Sequence, residues 1–273
     1  MMLSPIPAPD APAPVTPPRA RGRVLARFGP AGLERLRQEG CLRALFPGGR
    51  PAPEMVTLNT AGGLTGGDRI GQEITVTGGG PVTVTTQAAE RAYRAAGGRA
   101  EVAVTLEVRG AALHWLPQET ILYDGAALRR RMTVALDGAA TALIVEPLVL
   151  GRRAMGERCR DAALAERWEL RRDGRLVFAD ALRLAGDLEA QMARPVLGGG
   201  AGAMASVLFA GPGAAAARAR LGEIGGPGAG VSLPREDVLF ARVLAADGHA
   251  LRARLIPMIE ALGTAPLPKV WRL

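Results

Sequence analysis

The chain has 273 residues, a formal net charge of +8 and 48% hydrophobic residues, which is typical of a globular protein that buries a core. Arginine supplies 33 of the 34 basic residues, and these are spread along the chain rather than clustered with aromatic residues. This argues against nucleic-acid binding, and the excess of arginine fits a GC-rich genome as well as an acidic protein partner. No stretch approaches the ~18 consecutive apolar residues of a membrane span, and residues 1–20 lack the features of a signal peptide, so we expect a cytoplasmic protein.

The first third of the chain predicts an arm followed by short strands. Residues 1–20 are rich in Pro and Ala, which indicates a disordered or extended arm. Val or Ile alternates with Thr in ITVT and VTVTT, the period of a half-buried strand. The segment GGGP between them predicts a hairpin. The elements predicted here are strands at 23–28, 41–46, 74–77 and 82–86, helical turns at 33–38, and the hairpin at 78–81.

The rest of the chain continues the strand pattern and collects its helices late. Strands are predicted at 100–108, 131–136, 141–150 and 168–184, the last with a hairpin at Asp173-Gly174. Helices are predicted at 214–224 and at 247–262. The second has Asp247 as its N-cap and an apolar face formed by Leu251, Leu255, Met258, Ile259 and Leu262. The prolines of 265–273 favour an extended tail. Residues 21–273 therefore form one mainly β domain, for which the periodicity leaves a sandwich, a barrel and a β-solenoid open.

The motifs of common enzymes do not fit. The glycine-rich stretch LNTAGGLTGGDRI (58–70) has no Lys for a phosphate loop, and its glycines lack the GxGxxG spacing. GGGAGA (198–203) matches GxGxxA, but a strand-like segment follows where a nucleotide site needs a helix N-terminus. There is no GxSxG, the cysteines Cys41 and Cys159 are isolated, and the histidines His114 and His249 are far apart. We interpret both glycine segments as turns or surface loops and both histidines as structural.

Carboxylates in apolar or glycine-rich segments are the remaining candidates for chemistry. Glu146 interrupts the most apolar strand, where a charge is costly unless it is paired or coordinated. It forms either an ion pair with an arginine such as Arg152 or Arg153 or part of an oxygen-ligand path for a divalent metal. The set comprises Asp68, Glu90, Glu119, Asp124, Glu146 and Glu157.

Five motifs in order resemble the urease accessory protein D (UreD/UreH) family. They are NTAGGLTGGDRI (59–70), TTQAAERAYR (85–94), WLPQETILYDGA (115–126), EPLVLGRRAMGE (146–157) and PLPKVWRL (266–273). The resemblance runs from about Arg23 to the end of the chain. It does not include the Pro/Ala arm, to which we assign no role.

The resemblance implies a maturation factor rather than an enzyme. Family members bind the urease apoprotein, recruit the F and G accessory proteins and help to deliver nickel, carried transiently, to the urease active site. The implied fold is an elongated, β-helix-like stack of strands with two helices toward the C-terminus. An internal tunnel lined partly by carboxylates would carry nickel, and Asp68, Glu146 and Asp180 match candidate positions. The C-terminal tail would meet the F protein through Val270, Trp271 and Arg272.

Two other interpretations compete with nickel delivery. The chain could be an assembly scaffold with no direct metal role, in which case acidic substitutions matter only where they disturb folding. A nucleotide-dependent enzyme using GGGAGA is the more remote alternative.

Overall fold

The computed structural model describes residues 18–49 and 51–272. Within them the chain forms seventeen strands and three α-helices. The strands are β1 Arg21–Gly29, β2 Gly32–Gly40, β3 Leu42–Leu45, β4 Glu54–Asn59, β5 Arg69–Thr77, β6 Val82–Thr86, β7 Glu90–Ala92, β8 Ala100–Arg109, β9 Ala112–Leu116, β10 Thr120–Leu122, β11 Ala127–Asp137, β12 Thr141–Leu150, β13 Ala162–Arg172, β14 Arg175–Gly186, β15 Ala203–Ala210, β16 Ala229–Arg235 and β17 Val238–Ala245. The helices are α1 Leu188–Ala193, α2 Ala214–Gly225 and α3 Gly248–Leu262.

The strands form two large mixed sheets. Sheet A has the order β14-β13-β11-β8-β5-β1-β2, and sheet B the order β16-β17-β15-β12-β9-β6-β4-β3, with β7 and β10 attached beside β12. From β5 to β13 the main strands alternate between the two sheets and pair in parallel with the strand one turn earlier. Arg69 thus lies beside Glu101, and Glu101 beside Arg129. Parallel neighbours need a crossover, and here a strand of the opposite sheet supplies it. The predicted mainly β, β-helix-like architecture is confirmed.

Two local predictions are wrong. The segment 78–81 is not a hairpin, because β5 belongs to sheet A and β6 to sheet B. Gly78 and Gly79 have φ values of +67° and +80°, which turn the chain from one sheet to the other. The segment 33–38 is not helical, because β2 pairs antiparallel with β1 along most of its length. Sheet pairing outweighs the helical preference of Leu, Glu, Arg and Gln there.

Most of the other predicted elements are confirmed. Strands β1, β8, β11 and β12 cover their predicted segments, β3 covers all but the two end residues of 41–46, and β12 is buried on both faces. Asp173 and Gly174 have φ values of +50° and +77° and close the β13–β14 hairpin, as a two-residue turn of this type requires. Helices α2 and α3 lie where predicted, while the short α1 was not predicted. In α3 the Asp247 side chain accepts a hydrogen bond from the Ala250 N–H, and the five apolar residues are buried.

The sheets and helices form three layers with two cores. One core lies between sheets A and B and includes Phe28, Leu106 and Trp168. The other lies between sheet B and helices α2 and α3 and includes Val145 and Leu255. Strand β12 contributes alternate side chains to both cores, which explains its continuous apolar run. None of the helices in the described residues is both long and apolar enough to cross a membrane. The arm predicted at residues 1–20 lies outside the described residues except for 18–20.

Candidate functional site

A cavity of about 300 Å³ lies between the two sheets, and we call it the interior cavity. Sheet A contributes side chains from β5, β8 and β11, and sheet B contributes them from β4, β9 and β12. Gln87, Ala88 and Arg91 are exposed and also line the cavity, so it reaches the surface beside β7. The polar side chains that line it include Asn59, Gln72, Glu90, Gln118, Thr120, Arg130 and Glu146.

Two buried amide groups give the interior cavity unused hydrogen-bonding capacity. Gln72 Oε1 and Gln118 Nε2 have no hydrogen-bond partner among the described residues, although both side chains are buried. The other amide atom of Gln118, Oε1, accepts a bond of 2.6 Å from Arg252 Nη2. Buried polar atoms of this kind are normally satisfied by water or a ligand. The cavity is therefore suited to a hydrated or polar occupant.

A buried triad of charges closes one side of the interior cavity. Arg130 on β11 forms ion pairs with Glu146 on β12 and with Glu166 on β13. The Arg130 Nε donates to Glu166 Oε2 over 2.7 Å, and the Trp115 Nε1–H donates to Glu146 Oε1 over 2.7 Å. Glu146 is therefore ion-paired, but its partner is Arg130 rather than Arg152 or Arg153.

With both carboxylates ionised, the triad of Arg130, Glu146 and Glu166 carries a formal charge of −1. Burial raises the pKa of the Glu146 carboxyl above its ordinary value, against the opposing effect of Arg130. Burial also works against the charge of Arg130, but the two carboxylates outweigh it and raise the pKa of the guanidinium. One arginine between two ionised carboxylates leaves an excess negative charge, which favours the binding of a proton or another cation.

Glu90 also lines the interior cavity, at the start of β7. Burial raises the pKa of Glu90 to about 7, while two long bonds of 3.3 Å from Asn59 Nδ2 act against the rise. The negative charge of nearby Asp68 raises it further. Glu90 therefore changes its charge near neutral pH.

Asp68 holds the glycine-rich loop together. It is buried, with 3% of its surface exposed. Its Oδ1 accepts a bond of 2.8 Å from the Ala20 N–H, and its Oδ2 accepts one of 2.8 Å from the Thr65 N–H. Gly66 lies so close to the Gly97 carbonyl oxygen that a Cβ would be 2.1 Å from it. The loop is a set of tight turns, as predicted, and both Asp68 oxygens are used by the backbone.

Asp180 and Glu146 belong to one polar layer that crosses the core between the sheets. On sheet B, Glu146 lies opposite Ser206, and Ser206 lies opposite Arg242. Residues directly opposite one another point to the same face. Arg242 then pairs across to Asp180 of β14 over 2.8 Å, and Arg130 pairs across to Glu146. The polar layer comprises these residues and Glu166.

The structure thus brings together two of the three predicted nickel-path residues. Glu146 and Asp180 share the polar layer, whereas Asp68 lies in the loop between β4 and β5 with its oxygens bonded to backbone. Among the described residues, no three His, Cys, Asp or Glu side chains are grouped so that they could hold a metal ion. Asp68, Glu146 and Asp180 are therefore separate carboxylates and do not form a single metal-binding centre.

Comparison with known proteins assigns this architecture to a family. The sequence profile of the UreD urease accessory protein family matches residues 19–272. The chain belongs to the UreD urease accessory protein family. It is 47% identical over 244 residues to the urease accessory protein UreD of Ruegeria pomeroyi, covering 88% of this chain and 95% of that relative. It is 44% identical over 266 residues to that of Roseobacter denitrificans, covering 95% and 97% respectively.

Membership of the UreD family confirms the resemblance and the assignment as an accessory protein of urease maturation rather than an enzyme. The segment GGGAGA is followed by strand β15 instead of a helix, as predicted. His114 is buried, and burial lowers its pKa to about 4. Its Nε2 accepts a bond of 3.3 Å from the Thr264 N–H, which is a structural role.

The C-terminal segment differs from the extended tail that was predicted. Residues Lys269–Arg272 form a 3₁₀ turn, and Trp271 is 2% exposed. The Trp271 Nε1–H donates to the Leu116 carbonyl over 2.9 Å, and Arg252 donates to the carbonyl oxygens of Val270 and Trp271. Trp271 is therefore an anchor into this chain's own second core. A partner contact by Val270 and Arg272 stays a prediction.

Sequence reasoning missed Arg130, Glu166 and Trp115. A usable signal was present, because Arg130 and Glu166 occupy positions of β11 and β13 that the apolar alternation assigns to the core. Two opposite charges at core positions of strands that turn out to be neighbours indicate a buried pair.

Proposed function

We propose that the chain assembles with the urease apoprotein and the F and G accessory proteins, and that it helps to pass nickel to urease through the interior cavity. Family membership supports the accessory role. The observation that carries the nickel role is the cavity itself, which both Glu90 and Glu146 line. Nickel is a transient cargo in this proposal and is not held as a cofactor.

The position of each candidate carboxylate and its hydrogen-bond partners indicate how well it is suited to bind nickel. Glu146 is the strongest, because it lines the interior cavity and belongs to a triad with excess negative charge. Asp180 is next, since it continues the polar layer beyond the triad. Asp68 is the weakest, because two backbone N–H groups occupy its oxygens. A path that must release its cargo suits such scattered carboxylates.

The alternative function is an assembly scaffold with no direct metal role. The observation that favours it is that every candidate carboxylate already has a partner: backbone N–H groups for Asp68, Arg130 for Glu146 and Arg242 for Asp180. Under this alternative the polar layer only fixes the register between the two sheets.

The test is co-expression of the chain with urease and the F and G proteins, comparing wild type with Glu146→Gln. This substitution keeps the shape and an acceptor for Trp115, and it leaves Arg130 paired with Glu166. The matched control is Glu169→Gln, a half-buried surface carboxylate on β13 that pairs with Arg167 over 2.8 Å. Complex recovery is measured by pull-down, and nickel in the purified urease by mass spectrometry.

Nickel delivery through the cavity predicts normal complex recovery and nickel-poor urease for Glu146→Gln, with both quantities normal for Glu169→Gln. Normal nickel with a normal complex would leave only the scaffold function. Loss of the complex in Glu146→Gln would also count against the nickel path, because it would assign Glu146 to assembly.

A further inference from the structure

A surface cleft rich in arginine lies where β10 and β12 end, outside the interior cavity. We call it the arginine cleft; its volume is about 640 Å³. Tyr93 and Tyr123 form its floor, with ring centroids 5.1 Å apart in an edge-on arrangement. The guanidinium of Arg152 lies 4.3 Å above the Tyr123 ring. The arginines that line the cleft are Arg94, Arg152, Arg158 and Arg160.

The two carboxylates that line the arginine cleft, Asp124 and Glu157, accept hydrogen bonds from groups of this chain. Asp124 accepts bonds of 2.8 Å from the Arg160 and Asp161 N–H groups and one of 2.6 Å from Arg94. Glu157 accepts three bonds of 3.0 Å from Arg152, one of them from its backbone. These contacts fix the carboxylates against the floor and leave the remaining arginines unbalanced.

Arg158 and Arg160 are exposed arginines without a close carboxylate partner among the described residues. Arg158 has only a distant contact of 3.7 Å with Glu189, and its side chain is 62% exposed. Within residues 18–49 and 51–272, the exposed Arg160 side chain has no carboxylate partner. A guanidinium in this state offers a planar pair of donors to a carboxylate.

An exposed apolar residue, Met155, lies next to the arginine cleft. Met155 is 78% exposed and precedes Gly156, which lines the arginine cleft. Methionine and arginine around an aromatic floor are the composition of protein–protein contacts. Nucleic acid fits less well, because Arg152 covers the Tyr123 ring and so takes the face on which a base would stack.

We propose that the arginine cleft is the surface that docks an acidic patch of the urease apoprotein, with carboxylates on Arg158 and Arg160 and an apolar side chain against Met155. The inference rests on the proposed function, since it names the surface by which the chain would hold its client. It is separate from the C-terminal segment, which the family resemblance assigns to the F protein.

The experiment uses the tagged chain co-expressed with the urease apoprotein and the F and G proteins. The variant is Arg158→Glu/Arg160→Glu. The matched control, Arg35→Glu/Arg175→Glu, makes the same change in net charge on exposed residues of β2 and β14. Urease, F and G recovered with the chain are each quantified at low and high salt, and circular dichroism checks the fold. Met155→Asp tests the apolar contact without reversing an arginine.

We expect the cleft variant to recover about tenfold less urease than wild type, with F and G recovery unchanged, and Met155→Asp to lose several-fold. The control should match wild type, and salt should weaken the wild-type interaction. Equal urease recovery by the cleft variant and wild type would overturn the inference, as would an equal loss in the control or a loss of F alone. A wild-type chain that recovers no urease at any salt would instead refute the proposed function, and with it this partner.

Discussion

Substitutions of Trp271 test whether the C-terminal segment stabilises the fold or binds a partner. Its indole is buried in the core between sheet B and the helices, so Trp271→Ala should lower the free energy of unfolding by about 3–5 kcal/mol. Trp271→Phe keeps most of the packing and loses the bond to the Leu116 carbonyl. That oxygen also accepts a bond of 2.6 Å from Thr85, so it is not left unsatisfied and the cost should be about 1 kcal/mol.

The measurement is urea unfolding of the purified chain, followed by circular dichroism, with F-protein binding measured in parallel. The control within the same segment is Arg272→Ala. Arg272 pairs with Glu260 over 2.8 Å, but both side chains are largely exposed, so the expected loss of stability is below about 1 kcal/mol. If Trp271→Ala unfolds at the same urea concentration as wild type yet no longer binds the F protein, the burial argument is wrong and Trp271 is a partner contact.

Three further predictions concern buried titratable side chains. The raised pKa of Glu90 means that the folded state keeps a proton that the unfolded chain has lost, so wild type should lose stability, by at most about 3 kcal/mol, as pH rises from 4.5 to 7. Glu90→Gln should abolish that loss in urea titrations at each pH, and an unchanged profile would refute the assignment. The effect of pH on stability has the opposite sign for His114, because its pKa is lowered and the unfolded chain therefore takes up a proton first as pH falls from 6.5 to 4. Wild type should lose stability over that range, and His114→Gln should remove the loss. Retention of the loss in His114→Gln would contradict the assignment. Arg130→Met leaves Glu146 and Glu166 unpaired and should cost about 3–5 kcal/mol, far more than Glu146→Gln, so equal thermal shifts for the two variants would rule out the triad.

The strand pattern was predictable from the sequence, but the partners of the strands were not. Alternation along 74–77 and 82–86 identified both strands. Burial alternates along β5 as predicted, whereas β6 is buried on both faces from Val82 to Thr85, so the half-buried prediction is wrong there. The alternation carries no information on which sheet a strand joins, so it predicts a hairpin at 78–81, where the glycines instead turn the chain from one sheet to the other. The exposed strand β2 has little apolar alternation, and only its pairing with β1 makes it a strand.

The site was predictable residue by residue but not as an arrangement. The cost of a carboxylate in an apolar strand singled out Glu146 correctly, and an ion pair was among the alternatives. Arg152 and Arg153 are close in sequence, yet Arg130 is close in space because β11 and β12 belong to facing sheets. Trp271 shows the same limit, since a proline-rich tail gives no sign that a strand from the middle of the chain receives its indole.

The alternation of strands between sheets has a consequence for synthesis on the ribosome. Each turn of the coil rests on the turn made just before it, so stacking can advance from the N-terminus as the chain emerges. The outer face of sheet B is different, because Leu116 and Val145 stay uncovered until α2, α3 and finally Trp271 arrive. The newly made chain therefore carries an apolar sheet surface until α2, α3 and Trp271 have been made and have packed on it. Without Trp271, the part of that surface around Leu116 would stay uncovered after α2 and α3 have packed.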